Sequence, residues 1–151
     1  MANGRWRLLK DQTFVAPLNS KKLKNVIFAP FVDEKIRFVL VSPKGESVIQ
    51  TLPDSELAIT GTFAFQKIDA VSFKDLNSDG TSDIMVLTTF FDSRPLQGEG
   101  VGGSSVKVGF VFLSNKNKFK INDDCSEGAA SLSVLDSCMK AKIKKIEEKA
   151  L

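Results

Sequence analysis

Along the first four-fifths of the chain, apolar and polar positions alternate over short stretches. Near the C-terminus the period lengthens to three or four residues. A period of two sends successive side chains to opposite faces of a strand, whereas the longer period lines one face of a helix. Residues 35–42 put Ile36, Phe38 and Leu40 on one face, with Val39 and Val41 behind. Residues 47–52 set Val48, Gln50 and Leu52 against Ile49 and Thr51. Between these runs stands Ser42-Pro43-Lys44-Gly45-Glu46, where proline fixes φ and glycine permits φ > 0, so a hairpin is expected. Further strands are predicted at 25–31, 61–65, 69–74, 82–91, 105–113 and 118–121. Most of the 12 phenylalanines fall inside these runs and read as core. Leu132, Leu135, Met139, Ile143, Ile146 and Ala150 then recur at helical spacing, with lysines on the other face and Ser133 or Asp136 as candidate caps. The expected class is mainly β (α+β): an antiparallel meander sheet with a C-terminal amphipathic helix packed on it.

The chain's 151 residues make one domain, 1–151. Its 42% hydrophobic and 26% charged residues are those of a globular protein and argue against wholesale disorder. Histidine is absent. That removes a Ser-His-Asp triad, a Cys-His dyad, an H-E-x-x-H zinc site and any imidazole acid or base. Two cysteines cannot make a Cys-only zinc site.

The formal charge of +3 is unevenly spread: residues 1–24 sum to +5, residues 139–151 to +3 and the stretch between them to −5. Basic ends on an acidic body suit anionic partners or simply a solvated surface. A pI of about 8.9 falls short of the basicity typical of nucleic-acid binders, so nucleic acid is disfavoured. No apolar run approaches the ~20 residues of a transmembrane helix, and no apolar stretch follows the first residues as in a signal peptide. The chain therefore reads either as cytoplasmic or as a mature segment without its leader. Cys125 and Cys138 stand beside a turn-to-helix boundary. They would close a small disulfide loop in an oxidising compartment, or else lie as two buried thiols. Periplasmic or secreted is the expected location. Residues 93–105 (SRPLQGEGVGGSS) form the one long glycine-rich stretch. It lacks the Walker spacing and is expected to be a mobile surface loop, with Arg94, Gln97, Glu99 and Gly102 as candidate partner contacts.

One segment carries metal chemistry. Residues 71–86 contain D-x-N-x-D-G-x-x-D, beginning at Asp75. Alternate side chains at Asp75, Asn77 and Asp79 converge as the chain turns, and Gly80 allows the reversal. The Thr81 carbonyl and the Asp83 carboxylate return from the other side. Hard oxygen donors suit Ca²⁺, which takes 6–8 of them. The twelfth position, where an EF-hand has its bidentate Glu, is Val86, and the flanks read as strands. The same residue types also make an ordinary tight turn.

The pattern aromatic-x-Asp-x-Asn-x-Asp-Gly-x-x-Asp-Ile-x-Val resembles the calcium loop of the FG-GAP/VCBS repeat family over about residues 71–90. The resemblance implies Ca²⁺ ligation by Asp75, Asn77, Asp79, the Thr81 carbonyl and Asp83. A propeller would repeat the motif in every blade, and this chain holds one copy. A single-copy module is therefore expected, with the loop between two antiparallel strands; such modules occur in exported bacterial proteins.

Three functional classes follow. The first is a non-enzymatic extracytoplasmic binding module stabilised by Ca²⁺, with a protein or glycan partner; an inhibitor or immunity protein of a hydrolase is a variant of it. The second is a carboxylate-dependent hydrolase using residues such as Glu56, Asp92 or Glu99, for which no spacing couples two carboxylates. The third is an anionic-surface binder using the two basic ends. Of these, the binding module is the expected reading.

Overall fold

The computed structural model describes residues 7–33, 35–54, 63–95, 102–127 and 129–150. The chain builds two antiparallel sheets and one helix. Strands β1 (Arg7–Leu8), β2 (Phe14–Val15), β3 (Ile27–Val32), β4 (Ile36–Val41) and β5 (Val48–Thr51) form the first sheet. Its order is β1-β3-β4-β5, with β2 also on β3. Strands β6 (Phe63–Lys74), β7 (Asp83–Pro95), β8 (Gly102–Asn115) and β9 (Lys118–Asn122) form the second in sequential order, and helix α1 (Leu132–Ala150) closes the chain. The mainly β, α+β class is as expected, and the meander is divided between two sheets.

Alternation explains the layering. From β3 and β4, Phe28, Ile36, Phe38 and Leu40 face the second sheet. From β7 and β8, Ile84, Val86, Phe90, Val108, Phe110 and Phe112 face the first, and all belong to one buried cluster. Phe38 meets Phe110 edge-on at 5.1 Å, and Phe14 and Phe28 both meet Phe73 edge-on. Burying each such side chain stabilises by about 1.5–3 kcal/mol. The odd-numbered positions of the second sheet turn the other way. Met85, Leu87 and Val111 pack with Leu76, Leu135 and Met139 beneath the helix. Strand β7 is thus covered on both faces, and every residue from Asp83 to Phe90 is buried.

Several boundaries differ from the sequence pattern for local reasons. Asn25 has φ +61°, so β3 starts later, at Ile27. The two strands expected at 61–65 and 69–74 are one, β6, with register shifts at 65/67 and 68/70 that break the alternation. The cap of α1 is Ser131, whose Oγ accepts the Val134 N–H at 3.2 Å, and not Ser133 or Asp136. Asp136 instead pairs with Lys74 at 3.3 Å and Lys140 at 3.2 Å. The hairpin turn at 42–47 is as expected: the Ser42 hydroxyl accepts the Glu46 and Ser47 N–H groups, and Gly45 has φ +74°.

Two links tie the layers together. The Gln50 side chain donates to the Phe119 carbonyl at 2.8 Å and accepts its N–H at 3.0 Å, joining β5 to β9 as a strand would. Cys125 and Cys138 form a disulfide, with Cα atoms 6.0 Å apart, that ties the turn after β9 to the helix.

Candidate metal centre

The loop between β6 and β7 is fixed at both ends before its carboxylates are considered. Lys74 pairs with Asp83 at the end of the β6–β7 ladder. Leu76 turns inward, 7% exposed, into the cluster under the helix. Ser78 and Gly80 take φ +58° and +90°, which reverse the chain. Nothing lies within 4 Å of a Cβ built on Gly80, so its backbone conformation alone calls for glycine.

Within this frame the side chains fold over their own backbone. Asp75 accepts the N–H groups of Asp79 at 3.2 Å and Gly80 at 2.8 Å. Asp79 Oδ1 accepts the Thr81 N–H at 3.0 Å. Asp83 is fully buried and holds the two strands together. Its Oδ2 accepts the Leu76 N–H at 2.7 Å, and its Oδ1 accepts the Ser114 N–H at 2.7 Å and the Ser114 hydroxyl at 3.1 Å. Burial pushes the Asp83 carboxyl above its ordinary range. Hydrogen bonds from Ser114 and Leu76 pull it back, and the Asp79 charge adds to the rise.

The Asn77 amide is satisfied with its nitrogen toward the two carboxylates, donating to Asp75 Oδ1 and Asp79 Oδ1 at 3.1 Å each. One neighbouring arrangement is unbalanced in hydrogen-bonding terms. Nearby, the Ser114 hydroxyl faces Asp79 Oδ2 at 2.9 Å, Asp83 Oδ1 at 3.1 Å and the Thr81 carbonyl at 3.5 Å. A hydroxyl has one proton to donate among those three acceptors.

All five expected ligands are thus brought into one loop, but not equivalently. Asp75, Asn77 and Asp79 converge directly, whereas Thr81 and Asp83 meet Asp79 through Ser114. Among the described residues, no group of three or more Cys, Asp or Glu side chains is gathered closely enough to hold a metal by itself. A cation held here would have to draw on the Asn77 amide and the Thr81 carbonyl as well. Ser114 lies 31 residues beyond Asp83 and was not singled out from the sequence. Its local signal is a serine that directly follows the apolar run Phe110–Leu113.

The other candidate residues disperse. The stretch 93–105 is not wholly a loop: β7 runs on to Pro95 and β8 begins at Gly102, with Asp92 opposite Ser104 and Pro95 opposite Gly102. Gly103 makes this pairing feasible, because the Phe91 ring lies where its Cβ would stand. Arg94 and Gly102 therefore belong to strands, while Gln97 and Glu99 fall outside the described residues. Of the carboxylates weighed for hydrolysis, Asp92 is buried in β7, and Glu56 and Glu99 lie outside the described residues. The lysines at 140, 142, 144 and 145 line the exposed face of α1. No helix among the described residues is long and apolar enough to cross a membrane.

Comparison with protein-family models, with curated proteins and with solved structures finds no match to this chain.

Proposed function

We propose that this chain is a non-enzymatic, extracytoplasmic binding module whose 75–83 loop is a Ca²⁺ site. The convergence of Asp79, Asp83 and the Thr81 carbonyl on the Ser114 hydroxyl is the observation that carries the metal reading, since one proton serves three acceptors and a hard cation takes such oxygens. Asp75 and Asn77 lie beside this group in the same loop. The role assigned to the ion is structural: it screens the carboxylates and fixes the loop between β6 and β7.

The Cys125–Cys138 disulfide supports a location outside the reducing cytoplasm, in the periplasm or secreted. Support for partner contact comes from the distal end of the β7–β8 ribbon. There β9 no longer accompanies β8, because it pairs only with 111–115. Phe91 stands 37% exposed at that end, an aromatic surface suited to a protein or glycan partner.

The test is thermal unfolding in excess Ca²⁺ and again with a chelator. A ligand held by the native state at a hundred times its Kd stabilises by about 2.7 kcal/mol. The midpoint is expected to rise by several degrees with Ca²⁺, and Asp79→Ala is expected to abolish the rise while remaining folded. An unchanged midpoint in the wild-type chain would reduce the loop to a turn.

A further inference from the structure

The Gln50 side chain stitches the first sheet to the second where β5 meets β9. On the side of β1 and β6, no ladder joins the sheets among the described residues, and a cavity of 590 Å³ opens there. Its floor is the margin of the common core: Leu9, Val32 and Phe65 line the cavity half-buried and pack against that core. Strand β6 contributes four consecutive residues, Phe65, Gln66, Lys67 and Ile68. A regular strand shows only alternate residues to one side. The register shift at 65/67, on the outermost strand of the sheet, brings the others in.

The rim is cationic. Arg7, Lys10 and Lys67 stand against one carboxylate, Asp11, a net charge of +2 among the described lining residues. Arg7, Lys10 and Asp11 form no ion pair among the described residues. Lys67 is 3.6 Å from Asp69 with its side chain 66% exposed, a contact that contributes little. Asp69 is also matched by Lys107 at 3.1 Å, so it does not cancel the surplus at the rim. The Gln66 amide oxygen accepts the Ser105 hydroxyl at 3.1 Å, which leaves that amide its N–H donors. The volume is that of a small-molecule site, and cations above an apolar floor suit an anionic head on an apolar body. A surplus of two charges suits a dianion, and arginine beside lysine suits phosphate.

We propose that this open seam binds an organic phosphomonoester, its dianion held among Arg7, Lys10 and Lys67 and its apolar body on Leu9, Val32 and Phe65. The site is separate from the calcium loop and from Phe91, and stands or falls without them.

Phenyl phosphate, titrated into the intact protein in the presence of chelator, tests this through the amide resonances of Leu9, Lys10, Gln66 and Lys67. At about pH 7.5 it is a dianion, since the second phosphate pKa is about 6. Inorganic phosphate and phenol separate head from body, and glycerol 3-phosphate replaces the apolar body by a polar one. Phenyl phosphate should shift the four amides saturably and bind about tenfold or more tighter than the other three probes. Arg7→Gln combined with Lys10→Gln should weaken it about tenfold or more with unchanged circular dichroism, because charge-assisted contacts are lost. Asp11→Asn should tighten it, and Lys44→Gln, on the distant 42–47 turn, should leave it unchanged. The proposal is overturned if phenyl phosphate leaves the amides unmoved, or if the double variant binds it as wild type does. It is equally overturned if Lys44→Gln weakens binding as much as the double variant, or if inorganic phosphate or phenol binds equally well.

Discussion

At the scale of single residues, two positions show how closely the second sheet is fitted. Gly109 is flanked by the buried residues Val108 and Phe110, so its backbone is as enclosed as theirs. A Cβ there would stand 2.9 Å from both terminal carbons of Leu135, which is itself fully buried and has no room to withdraw. Gly109→Ala should therefore push the helix off the sheet and cost about 1–3 kcal/mol, the range for overpacking. A lower urea midpoint with an unchanged slope checks it; an unchanged midpoint would mean that the helix gives way freely. Asp69 makes a different point. Burial raises its carboxyl, but the Thr89 hydroxyl at 2.6 Å, Lys107 at 3.1 Å and Lys67 at 3.6 Å outweigh that and leave it below its ordinary value of 3.8. A carboxyl lowered by folding stabilises above its unfolded pKa, and the contribution is lost as pH falls through the folded value. The melting midpoint of Asp69→Asn should thus lie below wild type at pH 6. The gap should narrow as the pH falls below about 4. A gap that is constant from pH 6 to pH 3 would show that the ion pairs contribute nothing.

At the scale of elements, the disulfide is the link most readily removed. It joins residues 13 apart, and a loop of about that length accounts for about 3 kcal/mol in the chain-entropy model. Replacing both cysteines by serine should lower stability by about that amount, read by denaturant titration. A loss near zero would mean that the buried contacts of Leu135 and Met139 hold the helix unaided. Most elements were legible because their periodicity is local. Residues 35–42, 47–52 and the helix from Leu132 were read within a residue or so of their observed limits. The short strands β1 and β2 were not, since two residues carry no period and exist only by pairing with β3. Division into two sheets was not legible either, because nothing in the local pattern says that the consecutive strands β5 and β6 do not pair. The candidate loop was legible for the same reason as the strands: its five oxygen-bearing residues lie within nine positions. The part of Ser114 was not, because it is set by register between distant segments.

At the scale of the whole molecule, the loop at 75–83 is a junction between layers. Asn19 donates to the Gly80 carbonyl at 2.9 Å, and the Ser82 N–H donates to the Leu18 carbonyl at 2.8 Å, so the segment before β3 is fastened to it. Asp83 and Asp79 engage Ser114 on β8, and Leu76 reaches the cluster under the helix. An ion drawing Asp75, Asn77 and Asp79 together would therefore act on three structural units. Local openings set the exchange of amides whose protection lies below that of global unfolding. Amide exchange should accordingly slow with Ca²⁺, relative to chelator, at Leu76, Ser82 and Ser114 as well as at Asp79–Thr81. Gly45, whose N–H closes the distant 42–47 turn on the Ser42 carbonyl at 2.8 Å, should exchange at the same rate in both conditions. If slowing is confined to Asp79–Thr81, the ion orders a surface loop and nothing more. If Ser82 and Ser114 slow together with it, the loop is the point at which metal binding stabilises the packing of one sheet on the other.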